Sequence, residues 1–135
     1  MHLVIYTDGG ARGNPGPAGA GVVIYEAKGD GEELVEQFGK YIGEQTNNVA
    51  EYTALLLAIQ RAREMGATSI DFMMDSELVV RQMRREYKVK EPNLAVLFTK
   101  VWNETIHFKK VTFTHIPREK NKEADKMVNL AIDHP

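Results

Sequence analysis

Asp8, Glu51, Asp75 and Asp125 stand on four separate segments of the chain, each where the sequence pattern ends a strand or begins a helix. If the fold brings those ends together, the four carboxylates make a cluster of hard oxygen donors. Mg²⁺ prefers such donors to nitrogen or sulfur, and a site of this kind with two ions suits the cutting of phosphodiesters. Four clustered carboxylates without a counter-ion repel one another and hold their protons more tightly, so a divalent cation is the natural partner. Metal-free protein is accordingly expected to be less stable.

Each acid also has a plain local explanation. Asp8 before Gly9-Gly10 reads as a turn residue. Asn48-Val49-Ala50-Glu51 has the spacing of a capping box, with Glu51 reaching back to the cap. Asp75 reads as the N-cap of the helix after it, and Asp125 as an acid favoured by a helix dipole. None of these explains why all four acids fall at ends that the inferred fold gathers, beside polar Thr46-Asn47-Asn48 and a glycine-rich stretch. Together they favour a site. His115 follows the last expected strand, where an imidazole can reach the same edge. The run Gly9-Gly10-Ala11-Arg12-Gly13-Asn14-Pro15-Gly16-Pro17 permits close backbone approach to a phosphate chain but has neither the dinucleotide nor the P-loop order.

The elements that must position these residues follow from periodicity. Leu3–Thr7 reads as a buried first strand ending in a glycine turn at Asp8-Gly9-Gly10. Residues 19–25 and 34–41 read as a hairpin around Lys28-Gly29-Asp30-Gly31. Residues 49–65 have helical spacing, with Gly66 as the stop. A strand over 68–74, a helix over 77–86, a helix from Pro92 to about His107, a strand over 111–114 and a helix over 122–132 complete the chain. Leu94, Leu97, Phe98 and Trp102, with Met73 and Met74, are expected in the core. The expected fold is α/β: a mixed five-stranded sheet, three antiparallel strands then alternating helix and strand, with helices on both faces. If the first and fourth strands are parallel neighbours, Asp8 and Asp75 emerge at one edge, where sites of such sheets lie.

With 135 residues, 43% of them hydrophobic, the chain fits one domain spanning residues 1–135. Its 17 basic and 19 acidic residues give a net charge of −2, unusual for a polyanion binder, so the distribution of charge matters more than its sum. Arg81, Arg84, Arg85, Lys88 and Lys90 form one basic group, and Lys109, Lys110, Arg118, Lys120 and Lys122 another. Each is a solvated face or a phosphate-facing stripe. The absence of cysteine excludes a disulfide framework and a thiolate zinc site, and the four histidines are scattered. With no basic-then-apolar leader and no membrane-length apolar run, a cytoplasmic protein is expected.

Thr7-Asp8-Gly9-Gly10, Gly13-Asn14-Pro15-Gly16-Pro17, Thr46-Asn47-Asn48-Val49-Ala50-Glu51, Asp75-Ser76 and the stretch from His115 to Asp125, in this order, resemble ribonuclease H of type 1 over nearly the whole chain. The resemblance implies a metal-dependent endoribonuclease that hydrolyses the RNA strand of RNA/DNA hybrids, leaving 5′-phosphate and 3′-hydroxyl ends, with two Mg²⁺ or Mn²⁺ ions. By that likeness Asp8 bridges both ions, Glu51 and Asp75 complete the one nearer the leaving oxygen, Asp125 holds the one that activates water, and His115 aids proton traffic or product release. Asn14, Asn47 and Asn48, with backbone near Gly10 and Ala11, match positions that contact the substrate backbone and its 2′-hydroxyls. A neutral amide can bond a 2′-OH, which distinguishes RNA from DNA.

Thr46 and Arg12 are expected phosphate contacts, and Arg84, Arg85, Lys88 and Lys90 are expected to grip the backbone beyond the cleavage site. Two departures from relatives are expected to make this a short form: the chain is short between Asp75 and Val111, without the basic protrusion some relatives use for grip, and no N-terminal hybrid-binding domain is expected. Ile116-Pro117-Arg118 stands where glycine is common in the family, so Arg118 is a candidate to share the duty of His115. Double-stranded RNA is an expected side substrate, and a monomer the expected state. Two other classes fit less well: a binding module that holds hybrids without cutting, and an ATP-handling domain of similar architecture.

Overall fold

Alternation along the first strand sends Leu3, Ile5 and Thr7 to one side and His2, Val4 and Tyr6 to the other, and the layers of the fold follow from this. The computed structural model describes residues 1–135. In chain order its strands are β1 (His2–Ala11), β2 (Gly16–Lys28), β3 (Gly31–Gln45), β4 (Ser69–Met74) and β5 (Lys110–His115). Its α-helices are α1 (Asn47–Glu64), α2 (Glu77–Met83), α3 (Pro92–Thr105) and α4 (Lys122–Asp133), with one 3₁₀ turn at Arg118–Lys120. The sheet order is β3-β2-β1-β4-β5. β1, β2 and β3 are antiparallel in succession, and β4 runs parallel to both β1 and β5.

The main core lies between this sheet and α1, α2 and α3. Leu3, Ile5, Ile70 and Phe72 are fully buried against Tyr52, Leu55 and Ile59 of α1, with Val79 and Val80 of α2 and Val101 of α3 in the same cluster. Phe72 stacks on Phe113 at 5.6 Å between centroids. Each such side chain contributes roughly 1.5–3 kcal/mol by leaving water. α4 covers the other face, over β2, β3 and β1. Its approach demands glycine: a Cβ on Gly21 would lie 2.2 Å from the Ala124 carbonyl oxygen, and one on Gly39 2.3 Å from that of Met127.

The expected sheet and its two helical faces are therefore present, with differences in detail. β1 does not stop at Asp8. The glycines continue the antiparallel pairing, Asp8 opposite Gly21 and Gly10 opposite Gly19, because β2 offers an edge that a glycine run follows as readily as it turns. Only the β4 side ends there, with Thr7 opposite Met74. The hairpin is also longer than expected, β3 reaching Gln45. α2 ends at Met83 rather than near residue 86, with Arg85 at φ 66°. No helix lies between α2 and α3, as the short form implied. Trp102 is 39% exposed rather than buried. It stacks on half-buried Phe98 at 5.9 Å, with the Arg85 guanidinium over its ring. Helical spacing marked its face correctly, but the helix rim there meets solvent.

Candidate active site

Three of the four acids are brought together directly. One carboxylate oxygen each from Asp8, Glu51 and Asp75 lies within 4.8 Å of the others. They line an open cleft of about 410 Å³ that also contains Asp125. β1 and β4 deliver Asp8 and Asp75 at the same edge because they are parallel neighbours.

Glu51 arrives from α1. The helix is capped by Thr46, whose hydroxyl accepts the Val49 N–H at 3.2 Å, so the capping box on Asn48 does not form. Glu51 is thereby released from capping and accepts the Gly9 N–H instead. That contact needs α1 tight against β1, where a Cβ on Gly9 would fall 2.2 Å from the Ala50 backbone. The same Gly9 N–H reaches Asp8 Oδ1 at 3.0 Å.

Asp75 is likewise not the cap of its helix. Ser76 performs that task, accepting the Val79 N–H at 3.3 Å, and leaves the Asp75 carboxylate to the cleft. Asp125 does sit in the first turn of α4, as expected. Its Oδ2 accepts from Asn129 Nδ2 at 3.4 Å.

Burial raises the Asp8 carboxyl to about 7, helped by the charges of Asp75 and Asp125 and opposed by a hydrogen bond with Glu51. Glu51 is pushed well above the carboxylate range by burial and then by Asp8. Asp75 is raised by burial, while the Asn121 amide and the Arg118 charge pull it down. Protein donors therefore leave the cluster short of positive charge. An all-carboxylate oxygen set in that condition fits a hard divalent cation.

Among the other expected site residues, Gly10, Ala11, Arg12, Asn47, Asn48 and Arg118 line the cleft. Asn14 is exposed and outside that lining, its Oδ1 accepting the Asn47 N–H at 3.0 Å, while the Ala11 N–H donates to Asn47 Oδ1 at 2.9 Å. Arg12 is paired with Asp133 at 2.5 Å. Thr46 serves as the helix cap. His115 is the exposed last residue of β5, outside the cleft lining, although its charge is felt at Asp75. Arg84, Arg85, Lys88 and Lys90 lie apart from the acids. Arg84 donates to the Phe113 carbonyl at 2.7 Å, Arg85 covers Trp102, and Lys88 and Lys90 are exposed.

Sequence reasoning missed Asn121, Asn129 and Ser76. The Ser76 cap was open to detection as serine before a helix, but Asn121, in a run of charged residues, carries no local sign of being buried.

The sequence matches the reverse transcriptase-like family over residues 6–131. The bifunctional protein Rv2228c of Mycobacterium tuberculosis is 41% identical over 133 residues, 98% of this chain and 36% of that protein. Ribonuclease HI of Halobacterium salinarum is 38% identical over 95% of this chain and 63% of its own length. The chain thus spans between about a third and two-thirds of these curated relatives. The crystal structure of RNase H1 from Halobacterium salinarum superposes with a TM-score of 0.93 at 36% identity, covering 100% of both chains. LC11-RNase H1, solved in complex with an RNA/DNA hybrid, gives 0.90 at 50% identity, covering 97% of this chain and 96% of that one. Sequence, sheet order and carboxylate cluster agree: the chain belongs to the reverse transcriptase-like family and, within it, to the ribonucleases H of type 1.

Proposed function

We propose that residues 1–135 act as one catalytic domain, an endoribonuclease that hydrolyses the RNA strand of RNA/DNA hybrids and leaves 5′-phosphate and 3′-hydroxyl ends. The observation that carries this is the convergence of Asp8, Glu51 and Asp75 in a polar cleft beside Asp125. The hybrid held by LC11-RNase H1 supports the choice of substrate.

Asp8, Glu51, Asp75 and Asp125 would hold two Mg²⁺ or Mn²⁺ ions. When bound, these ions supply Lewis-acid stabilisation of the phosphoryl charge and a lowered pKa for the attacking water. The remaining work belongs to the chain. Asn14, Asn47 and the Ala11 N–H are joined in one hydrogen-bonded ladder, which fixes the Asn47 amide before substrate arrives. Asn47 and Asn48 then meet 2′-hydroxyls, with the backbone at Gly10 and Ala11 beside them. Arg12 and Thr46 contact phosphates. Arg118, in the cleft, shares with His115 the handling of protons and product. Arg84, Arg85, Lys88 and Lys90 grip the backbone farther along.

Because shape and 2′-hydroxyls carry recognition, double-stranded RNA is a side substrate. All four acids come from one chain, which supports action as a monomer. A chain without cysteine needs no oxidising compartment, which supports work in the cytoplasm. No helix is long and apolar enough to cross a membrane.

The test offers end-labelled RNA/DNA hybrid, single-stranded RNA, duplex DNA and duplex RNA to the protein with Mg²⁺, Mn²⁺ or chelator. Metal-dependent cutting of the hybrid's RNA strand is expected, with slower cutting of duplex RNA. Tight hybrid binding without cutting in either metal would replace this assignment with a binding module.

A further inference from the structure

We infer that Asn121 is a positioning residue that holds three of the four acids in register for the cation, an inference that rests on the metal-dependent function proposed above. Asn121 is 1% exposed, although Glu119, Lys120, Lys122 and Glu123 around it are all exposed. A polar side chain buried in so charged a run is placed by its partners rather than by hydrophobicity.

Its Nδ2 donates to the Thr7 carbonyl at 2.9 Å and to Asp75 Oδ2 at 3.3 Å. Its own carbonyl accepts the Asp125 N–H at 3.1 Å. One residue therefore ties the strand position next to Asp8, the carboxylate at the end of β4 and the first turn of α4. These three elements are far apart in sequence, and Asn121 is hydrogen-bonded to each of them.

An amide suits this task because it donates to both acceptors and carries no charge to compete with a cation. Holding Asp75 Oδ2 restricts the orientation of the carboxylate. Groups that orient metal-binding carboxylates in this way act through them, and their loss costs about 10–100-fold in metal affinity. Asn121→Ala removes the donor. Asn121→Asp keeps the shape but turns an acceptor toward Asp75.

The experiment compares wild type, Asn121→Ala and Asn121→Asp by thermal midpoint in chelator, Mn²⁺ affinity from the resonance of free Mn²⁺, and kcat and KM on hybrid across a Mg²⁺ series. A positioning role predicts Mn²⁺ affinity lowered about 10–100-fold, more in the Asp variant, with KM for hybrid within about twofold and kcat of the Ala variant recovering at raised Mg²⁺. A variant that melts earlier yet keeps wild-type Mn²⁺ affinity and Mg²⁺ dependence would show a merely structural asparagine and overturn the inference. Wild-type protein supplies an arm independent of variant folding: the Asn121 side-chain amide resonance should move with added Mg²⁺, and a stationary one overturns the inference. Wild type that neither binds Mn²⁺ nor cuts hybrid would instead overturn the proposed function, and this inference with it.

Discussion

Replacing Asp8 with Asn should stabilise the metal-free protein, and increasingly so as pH rises. The Asp8 carboxyl is raised from 3.8 to about 7, chiefly by burial and also by Asp75 and Asp125. Between those values the folded chain keeps a proton that the unfolded chain gives up. The folded state binds more protons there, so this group makes stability fall as pH rises through the window and level off above it. At about 1.4 kcal/mol per tenfold change in acidity, the loss amounts to about 4 kcal/mol at pH 8 and less than half that at pH 5. Asn cannot ionise and still accepts a hydrogen bond, so it escapes the loss. In chelator, the advantage of Asp8→Asn over wild type should therefore grow by about 2–3 kcal/mol between pH 5 and pH 8, or roughly 10 °C in melting temperature. Mg²⁺ should raise the wild-type midpoint at pH 8 far more than that of the variant. Thermal unfolding followed by circular dichroism reads all of these. A stability difference that stays constant with pH, or a variant less stable than wild type at pH 8, would refute the account of a charge-starved cluster.

Gly9→Ala should cost about 3 kcal/mol or more in urea unfolding, since its Cβ would lie 2.2 Å from the Ala50 backbone, and should depress kcat by moving Glu51. Gly10→Ala, with only Val128 Cγ1 near at 3.6 Å, should cost under about 1 kcal/mol. Arg118→Ala should lower kcat more than His115→Ala, because Arg118 lines the cleft and His115 does not. Equal losses in single-turnover assays would contradict that. Lys88→Ala should weaken hybrid binding and reduce the salt dependence of affinity by about one phosphate contact, leaving kcat unchanged. An unaltered slope of log affinity against log salt would remove Lys88 from the interface.

Periodicity and turn residues made the order of elements readable, since Leu3, Ile5, Ile70 and Phe72 alternate and the α1 pattern is unbroken to its Gly66 stop. Parallel pairing of β1 with β4 then brought Asp8 and Asp75 to one edge, as the alternation of strands with helices implied. Local rules failed where tertiary contacts won. Glu51 has the spacing of a capping partner but is claimed by Gly9 of β1, and Thr46 caps in place of Asn48. Gly9-Gly10 reads as a turn but is held in the sheet by β2. Asn121, and the need for glycine at 21 and 39 beneath α4, depend on approach distances between elements remote in sequence. A single sequence carries no record of those distances.

Catalysis by the carboxylate cluster is tested most directly at Glu51, which bonds Gly9 of β1 and lies beside Asp8 and Asp75. The direct measurement compares wild type with Glu51→Gln on one end-labelled RNA/DNA hybrid in Mg²⁺, with hybrid affinity measured alongside and product ends identified. Wild type should cut the RNA strand to 5′-phosphate and 3′-hydroxyl ends, and Glu51→Gln should bind hybrid as wild type does while losing at least about 2 orders of magnitude in rate. Cutting by Glu51→Gln at the wild-type rate would contradict the account.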